Sequence, residues 1–253
     1  MKTIKFSVGL ITLNEAQHLP QTLAAIQNIA DEIVIVDSGS TDETCHIAKS
    51  FGATVLEEPW RGFTAQKNFL LEHCHGEWIL CLDADEVVTP ELARSIQKIL
   101  ETEGAATGYI LKRYTVYMGR LMKFAFRDRK LRLVKAAFHP HFEGGIVHEK
   151  LVISGKMETL TGRLLHYSYQ NFSDHLTRSI RYGQLGAEKK SQHSKAYACF
   201  HMVLNPSLAF IKSYVLKGGF LDGMRGFIVS VMRAIDVFIK YTFMYENRMD
   251  RKG

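Results

Sequence analysis

Two strand-like apolar runs in this chain each stop at a carboxylate. Glu32-Ile33-Val34-Ile35-Val36 ends in Asp37 and is followed by Ser38-Gly39-Ser40-Thr41-Asp42. Glu77-Trp78-Ile79-Leu80-Cys81-Leu82 ends in Asp83-Ala84-Asp85-Glu86. Short continuous apolar runs of this kind suit strands buried on both faces of a sheet. Ligands of open α/β sheets bind beyond the carboxyl ends of the strands, so both runs aim acids at one crevice. Carboxylates at i and i+2 beyond a strand end make a cup of hard oxygens for a divalent cation that carries diphosphate oxygens. Taken singly, each aspartate also suits a helix cap or a turn, and Glu86 suits a cap for the next helix.

The segments around these runs alternate between the two periodicities. Lys5 to Leu13 is strand-like, and Asn14 then caps a helix with a stripe of Leu19, Leu23 and Ile26, its start delayed by Pro20. Thr41 or Asp42 caps a short helix through Ala48. Ala53 to Glu57 is a strand, Gly62 to His73 a helix, and Thr89-Pro90-Glu91 opens another helix with a cap, a first-turn proline and an acid at the positive dipole end. This rhythm predicts an α/β fold with a mostly parallel sheet and helices on both faces. After about Gly104 it breaks into strand-like Gly108–Met118, basic alternating Arg127–Lys135, a His- and Gly-rich stretch from Phe138 to Lys150, and a short strand Leu151–Ile153. The expected organisation is a ligand-binding α/β half over 1–104, an acceptor-facing half of the same domain over 105–171, and a helical extension over 172–253.

That extension is apolar from Pro206 to Tyr245, yet Lys212, Lys217, Arg225, Arg233, Asp236 and Lys240 interrupt it too often for a membrane span. Gly218, Gly219 and Gly223 mark a break between two helices. Basic amphipathic helices rich in aromatic residues lie on membrane surfaces, and they also pack on protein cores.

The formal net charge of +6 points to an anionic partner. No zinc-finger spacing, RNA-binding aromatic motif, P-loop or G-x-G-x-x-G is present. Cys45, Cys74, Cys81 and Cys199 form no C-x-x-C pair or disulfide framework, which fits a reducing compartment. Met1 to Phe6 runs straight into a strand without a signal-peptide pattern.

Among the polar side chains, Asp37 and Asp83 suit a nucleobase edge or ribose, and Asp83 also suits support of the metal. Asp85, further beyond the strand end, is the direct metal ligand. Lys67, in Gln66-Lys67-Asn68, neutralises phosphate or is a solvated surface lysine. Arg127, Arg129 and Arg132 read as alternating on one strand face towards an anionic acceptor, or as a solvated edge. His148-Glu149, after Gly144-Gly145, offers a carboxylate base. His166 is a phosphate or metal contact or a hydrogen-bonded core histidine.

With these residues in view, Thr12-Leu13-Asn14-Glu15, Val36-Asp37-Ser38-Gly39-Ser40-Thr41-Asp42 and Asp83-Ala84-Asp85-Glu86 resemble the family 2 inverting glycosyltransferases of GT-A fold. Ala65-Gln66-Lys67-Asn68, Val147-His148-Glu149, Leu165-His166-Tyr167-Ser168-Tyr169 and Gly219-Phe220-Leu221-Asp222-Gly223 are similar to motifs of the bacterial lipopolysaccharide or lipooligosaccharide inner-core β-1,4-glucosyltransferases. The resemblance implies a UDP-glucose donor, Mg²⁺ or Mn²⁺ on Asp85, and a donor site of Thr12, Asn14, Glu15, Asp37, Lys67, Asp83 and His166. It implies Glu149 as catalytic base, and Arg127, Arg129, Arg132 and His148 on the acceptor side. The acceptor is a heptose of a phosphorylated, lipid-linked oligosaccharide at the cytoplasmic face of the inner membrane, where the protein associates peripherally; nucleic acid is not a partner. Where that family has a tryptophan- or proline-containing stretch, this chain has Phe124-Ala125-Phe126-Arg127-Asp128.

Three other readings share parts of this pattern. One is a UDP-sugar transferase for a different cell-surface glycan. Another is a sugar nucleotidyltransferase, which needs a basic Gly-rich loop where this chain has acidic Thr12-Leu13-Asn14-Glu15. The third is a non-catalytic basic membrane-binding module, which leaves Asp37, Asp83 and Asp85 unexplained.

Overall fold

A computed structural model of the chain describes residues 4–102, 104–144, 149–169, 171–188 and 194–249. The chain forms two compact units, one of residues 1–114 and 128–167, the other of 115–127 and 168–253. The segment 115–127 therefore goes with the C-terminal helices, not with the remainder of 105–171.

In the first unit, β1 (Phe6–Thr12), α1 (Leu19–Ile26), β2 (Glu32–Asp37), α2 (Thr44–Ser50), β3 (Thr54–Glu57), α3 (Phe63–Glu72) and β4 (Trp78–Asp83) follow the predicted alternation. In chain order there follow β5 (Glu86–Val88), α4 (Pro90–Glu101), β6 (Ala106–Tyr117), β7 (Arg120–Leu121), β8 (Arg127–Lys135), β9 (His141–Glu143), β10 (Lys150–Val152), β11 (Lys156–Thr159) and β12 (Leu164–His166), of which β7 and the end of β6 fall in the second unit. The main sheet runs β3-β2-β1-β4-β8-β6-β12-β5. Its first four strands are parallel, and β8 joins β4 antiparallel. Alternation divides the strand residues between two cores. Val8, Leu10, Ile33, Ile35, Leu80 and Leu82 face Leu19, Leu23, Ile26, Leu92 and Ile96 of α1 and α4. Val34, Val36, Ile79 and Cys81 face Leu70 and Leu71 of α3. The inner stretches of β2 and β4, Ile33–Val36 and Trp78–Leu82, are apolar at every position because both faces are covered.

Local chemistry shifts one helix start and sets the entry to two others. Asn14 caps no helix: it adopts φ 54°, and α1 begins at Leu19 with Pro20 in its first turn. Asp42 does accept from the Thr44 N–H at the entry to α2. Glu86 is not a cap for α4 but a fully buried strand residue; Thr89 caps that helix, accepting from the Leu92 N–H.

The second unit contains α5 (Phe172–Glu188), α6 (Lys195–Ile211) and α7 (Gly223–Met249). Between α6 and α7 the chain turns through a π-helical stretch, Lys212–Leu216, and a 3-10 turn, Gly219–Asp222, with Gly218 at φ 74°. No helix among the described residues is long and apolar enough to cross a membrane.

Candidate active site

The loops after β1 and β2 lie side by side because the two strands pair in parallel with Thr12 opposite Asp37. The Thr12 hydroxyl donates to Asp37 Oδ2 at 2.8 Å, Ser40 Oγ donates to the same oxygen at 2.6 Å, and the Gly39 and Ser40 N–H groups donate to Oδ1 at 3.0 and 2.7 Å. A carboxylate has about four acceptor positions, and all are taken. Burial pushes the Asp37 carboxyl up, but the bonds from Ser40, Thr12 and Gly39 outweigh it and hold the group below its ordinary value. A base or ribose donor reaches Asp37 only by displacing one of these partners.

The same loops are laced across each other. The Asn14 N–H donates to Ser40 Oγ, and Asn14 Oδ1 accepts from the Thr41 N–H, at 2.8 and 2.9 Å. The Glu15 N–H donates to Thr44 Oγ1 at 2.8 Å. Thr12, Asn14 and Glu15 thus gather around Asp37, but the Thr12 hydroxyl and the Asn14 amide serve the loops themselves.

Helix α3 fastens three further segments with three consecutive side chains. Gln66 Nε2 donates to Ser38 Oγ and to the Glu58 carbonyl at 3.1 and 2.8 Å. Asn68 pairs with both backbone groups of Phe142, as a strand neighbour would. Between them, Lys67 is only 5% exposed, so it is not a solvated surface lysine. Its Nζ lies 2.8 Å from Asp83 Oδ1 and 2.9 Å from Glu149 Oε1. Burial would push Lys67 down, but the carboxylates of Asp83 and Glu149 win, despite Arg132, and the ammonium keeps its proton.

Arg132 departs from the expected face. Residues 127 and 129 share parity on β8 and are exposed, whereas 132 has the opposite parity and points inward. Its Nη2 binds Asp83 Oδ2 and, at 2.7 Å, Glu86 Oε1. Arg113, on β6, joins Glu86 at 2.9 Å to Asp128, which it grips at 2.9 and 2.7 Å. The result is a line of alternating charge: Glu149, Lys67, Asp83, Arg132, Glu86, Arg113, Asp128. Burial opposes ionisation of Asp83, yet Arg132 and Lys67 hold it well below the usual carboxylate range. The sequence reading does not single out Arg113, and it gives Glu86 only as a cap for the next helix. The available signal was a guanidinium and a carboxylate placed within strand patterns, where a charge needs a partner.

Asp85 stands outside this line. The Ala84 carbonyl accepts from Thr22 Oγ1 at 2.7 Å, and the Asp85 carbonyl accepts from the Tyr167 N–H at 2.9 Å, which fixes the turn between β4 and β5. Antiparallel pairing of β5 with β12 sets His166 opposite Glu86, beside Asp85. His166 Nε2 approaches Asp85 Oδ2 at 3.4 Å, and no Lys or Arg among the described residues pairs with Asp85. Burial pushes the Asp85 carboxyl up, but the hydrogen bond and charge of His166 reverse this and leave it below its ordinary value. One carboxylate oxygen and one imidazole nitrogen form a donor pair that fits a divalent cation. No group of three or more His, Cys, Asp or Glu side chains converges among the described residues, so such an ion takes its other ligands from substrate or water.

Glu149 therefore meets Lys67, Asp83 and Arg132 in one cluster, with Asp85 and His166 as a second pair. Arg129 is exposed on β8 outside both, Arg127 belongs to the other unit, and His148 lies outside the described residues.

Residues 7–142 match the family model described as Glycosyl transferase family 2. The chain is 29% identical over 254 residues to an uncharacterized glycosyltransferase of Rickettsia typhi, covering 96% of this chain and 87% of that one. It is 28% identical over 251 residues to the lipopolysaccharide core biosynthesis glycosyltransferase LpsC of Rhizobium meliloti, covering 96% and 93%. The solved structure of a mannosyltransferase from Pyrobaculum calidifontis, in complex with GDP-Man and Mn²⁺, matches 98% of this chain and 89% of its own with a TM-score of 0.56 at 15% identity. At that distance the likeness carries the fold: GT-A-like, with a C-terminal helical region.

Proposed function

The chain belongs to glycosyl transferase family 2 and is a nucleotide-sugar glycosyltransferase, and on that premise we propose that it moves glucose from UDP-glucose to a heptose of the lipopolysaccharide or lipooligosaccharide inner core with inversion. The observation that carries this reading is the separation of the carboxylates into two sets: Asp83 and Glu86 neutralised by Lys67, Arg113 and Arg132, and Asp85 left to His166. Likeness to a lipopolysaccharide core glycosyltransferase along nearly the whole chain supports the acceptor class.

In this mechanism Asp85 and His166 would hold Mg²⁺ or Mn²⁺, which when bound would supply positive charge to the departing diphosphate. Glu149 takes the proton from the acceptor hydroxyl as that oxygen attacks the anomeric carbon. One in-line displacement turns an α-linked donor into a β-linked product. Lys67 bridges the Glu149 carboxylate to Asp83 and so fixes its position. The loops laced around Asp37, with Thr12, Asn14 and Glu15, form the wall for the nucleoside, and Asp37 sets their shape through its four hydrogen bonds. Arg129, Arg127 and His148 serve the phosphorylated acceptor. Arg132 moves from that group to the support of Asp83. The acceptor is lipid-linked, so the enzyme works at the cytoplasmic face of an anionic inner membrane.

Glu149→Gln tests the chemistry. The variant is expected to bind UDP-glucose with Mn²⁺ as the parent does by calorimetry and to lose transfer by at least about 100-fold. Near-normal turnover removes Glu149 as the base. Tighter binding of GDP, ADP or CDP than of UDP discards the donor.

A further inference from the structure

We propose that the turn between α6 and α7 in the helical unit is a docking surface for an anionic lipid bilayer, held as a rigid wedge by close backbone packing beneath it. This rests on the proposed function only for the expectation that the acceptor is lipid-linked.

The interior of this turn has no room for large side chains. A Cβ on Gly226 would lie 1.8 Å from the Gly219 carbonyl oxygen, and one on Gly219 would lie 2.7 Å from that of Ser213. Ser230 Oγ donates to Ser213 Oγ at 3.0 Å and to the Gly226 carbonyl at 2.7 Å, both buried. With glycine and serine inside, the large apolar residues stand outside: Leu216 is 76% and Met224 72% exposed, with Val215, Phe220 and Leu221 more than half exposed. The exposure continues along α6 as one stripe, Phe200, Leu204, Leu208 and Ile211, at helical spacing. An open apolar groove of about 500 Å³ between α6 and α7 includes Phe210, Ile211, Ile235 and Phe238 in its lining. Apolar surface on this scale marks a docking site.

Charge identifies what docks. Segments 115–127 and 194–238 carry eight Lys and Arg residues against two acids, Asp222 and Asp236, so they alone match the net +6 of the whole chain. Asp236 lies beside Arg233 at 4.0 Å, and Asp222 faces inward: its carboxylate accepts from the N–H groups of Lys123, Phe124 and Ala125, each at 2.9 Å. The same three bonds bring exposed Lys123 beside the wedge, where exposed Lys212 and Lys217 already lie. Arg225 Nε donates to the Met118 carbonyl at 3.2 Å and secures the other side of the 115–127 segment. An apolar tip within a ring of lysines is the pattern of a surface that buries its tip at the headgroup boundary of an anionic leaflet. A second copy of the chain would have to bring the same positive ring against itself. No helix among the described residues can span a bilayer, so contact is by surface insertion.

Co-sedimentation of the full chain with phosphatidylcholine vesicles, with and without phosphatidylglycerol, tests this. Binding is expected only with phosphatidylglycerol and is expected to weaken with salt. The triple variant Leu216→Ser, Leu221→Ser, Met224→Ser and the double variant Lys212→Gln, Lys217→Gln are each expected to lose about ten-fold or more in vesicle affinity, with UDP binding unchanged. Tryptophan placed by Leu221→Trp is expected to shift its emission to the blue on mixing with the anionic vesicles. Unchanged sedimentation in both variants overturns the proposal. So does a vesicle-independent dimer that the triple variant abolishes, because a second copy then covers the face. Loss of UDP binding in the parent bears on the catalytic reading and leaves the vesicle result standing.

Discussion

In the α/β unit charged side chains lie below the surface and pair with one another, whereas in the helical unit apolar side chains stand outside while glycine and serine fill the turn within. Both arrangements go against the usual partition, and both cost stability that the rest of each unit supplies. The buried charges hold one geometry because each has two partners. The outward apolar groups hold theirs because the backbone beneath them is too close to rearrange. On our proposals, each departure falls where the chain has something to bind: a sugar nucleotide in one unit and lipid in the other.

Three measurements break or sharpen this contrast. The largest effect is expected from Arg132→Met, which strands Asp83 and Glu86 with one cation fewer in a buried place. Loss of about 3–5 kcal/mol is expected on urea denaturation; a loss below about 1 kcal/mol would mean that solvent already screens the line of charges. The second measurement separates the units by pH. His175 is buried among Tyr117, Phe126 and Tyr169, with Nδ1 3.1 Å from Tyr117 Oη, and burial pushes it down to about 4 from 6.5. The unfolded chain takes up that proton first, so stability is complete above about pH 6.5 and is lost as pH falls towards 4, by about 2–3 kcal/mol. Asp37, Asp83 and Asp85 are shifted in the same direction but from a lower starting value, so their contribution survives until the pH drops below the ordinary carboxylate value. Hydrogen exchange at about pH 5 is therefore expected to show the helical unit opening first, and His175→Phe is expected to remove the difference. Equal opening of both units would refute the assignment to His175. The smallest effect is expected from Leu216→Ser, within about 0.5 kcal/mol by thermal denaturation; a loss near 2 kcal/mol would show that Leu216 is packed in solution and that the contrast is false.

The apolar runs ending in Asp37 and Asp83 made the first four parallel strands legible, because burial on both faces leaves an uninterrupted apolar signature. The helices after Phe172 were legible from their density of apolar residues and the glycines at 218, 219 and 223. Roles that depend on contacts distant in sequence were harder to read. Lys67 meets Asp83 and Glu149 only because α3 packs on the sheet, and nothing in Gln66-Lys67-Asn68 distinguishes a buried ammonium from a solvated one. Arg132 was legible in principle, since three residues from Arg129 is an odd step and puts it on the opposite face. Glu86 was read as a cap because an acid shortly before Thr89-Pro90 suits one; antiparallel pairing of β5 with β12 buried it instead. Asp37 stands out at the end of its apolar run, but its four hydrogen bonds come from Thr12, Gly39 and Ser40, and those from the last two follow from the habit of aspartate to bond amides two or three residues ahead.

The line from Glu149 to Asp128 also bears on how this chain can diverge. Four carboxylates alternate with three cations, and each interior member serves two neighbours. Losing one interior member leaves two neighbours of like charge short of a partner, while losing an adjacent interior pair leaves one group of each sign and keeps the charge balanced. The cost of a replacement at one of these seven positions therefore depends on what occupies the next, and substitutions along the line are coupled, not independent. Lineages that alter this interior are expected to do so in compensated pairs, so that history along the line is written in couples and not in single letters.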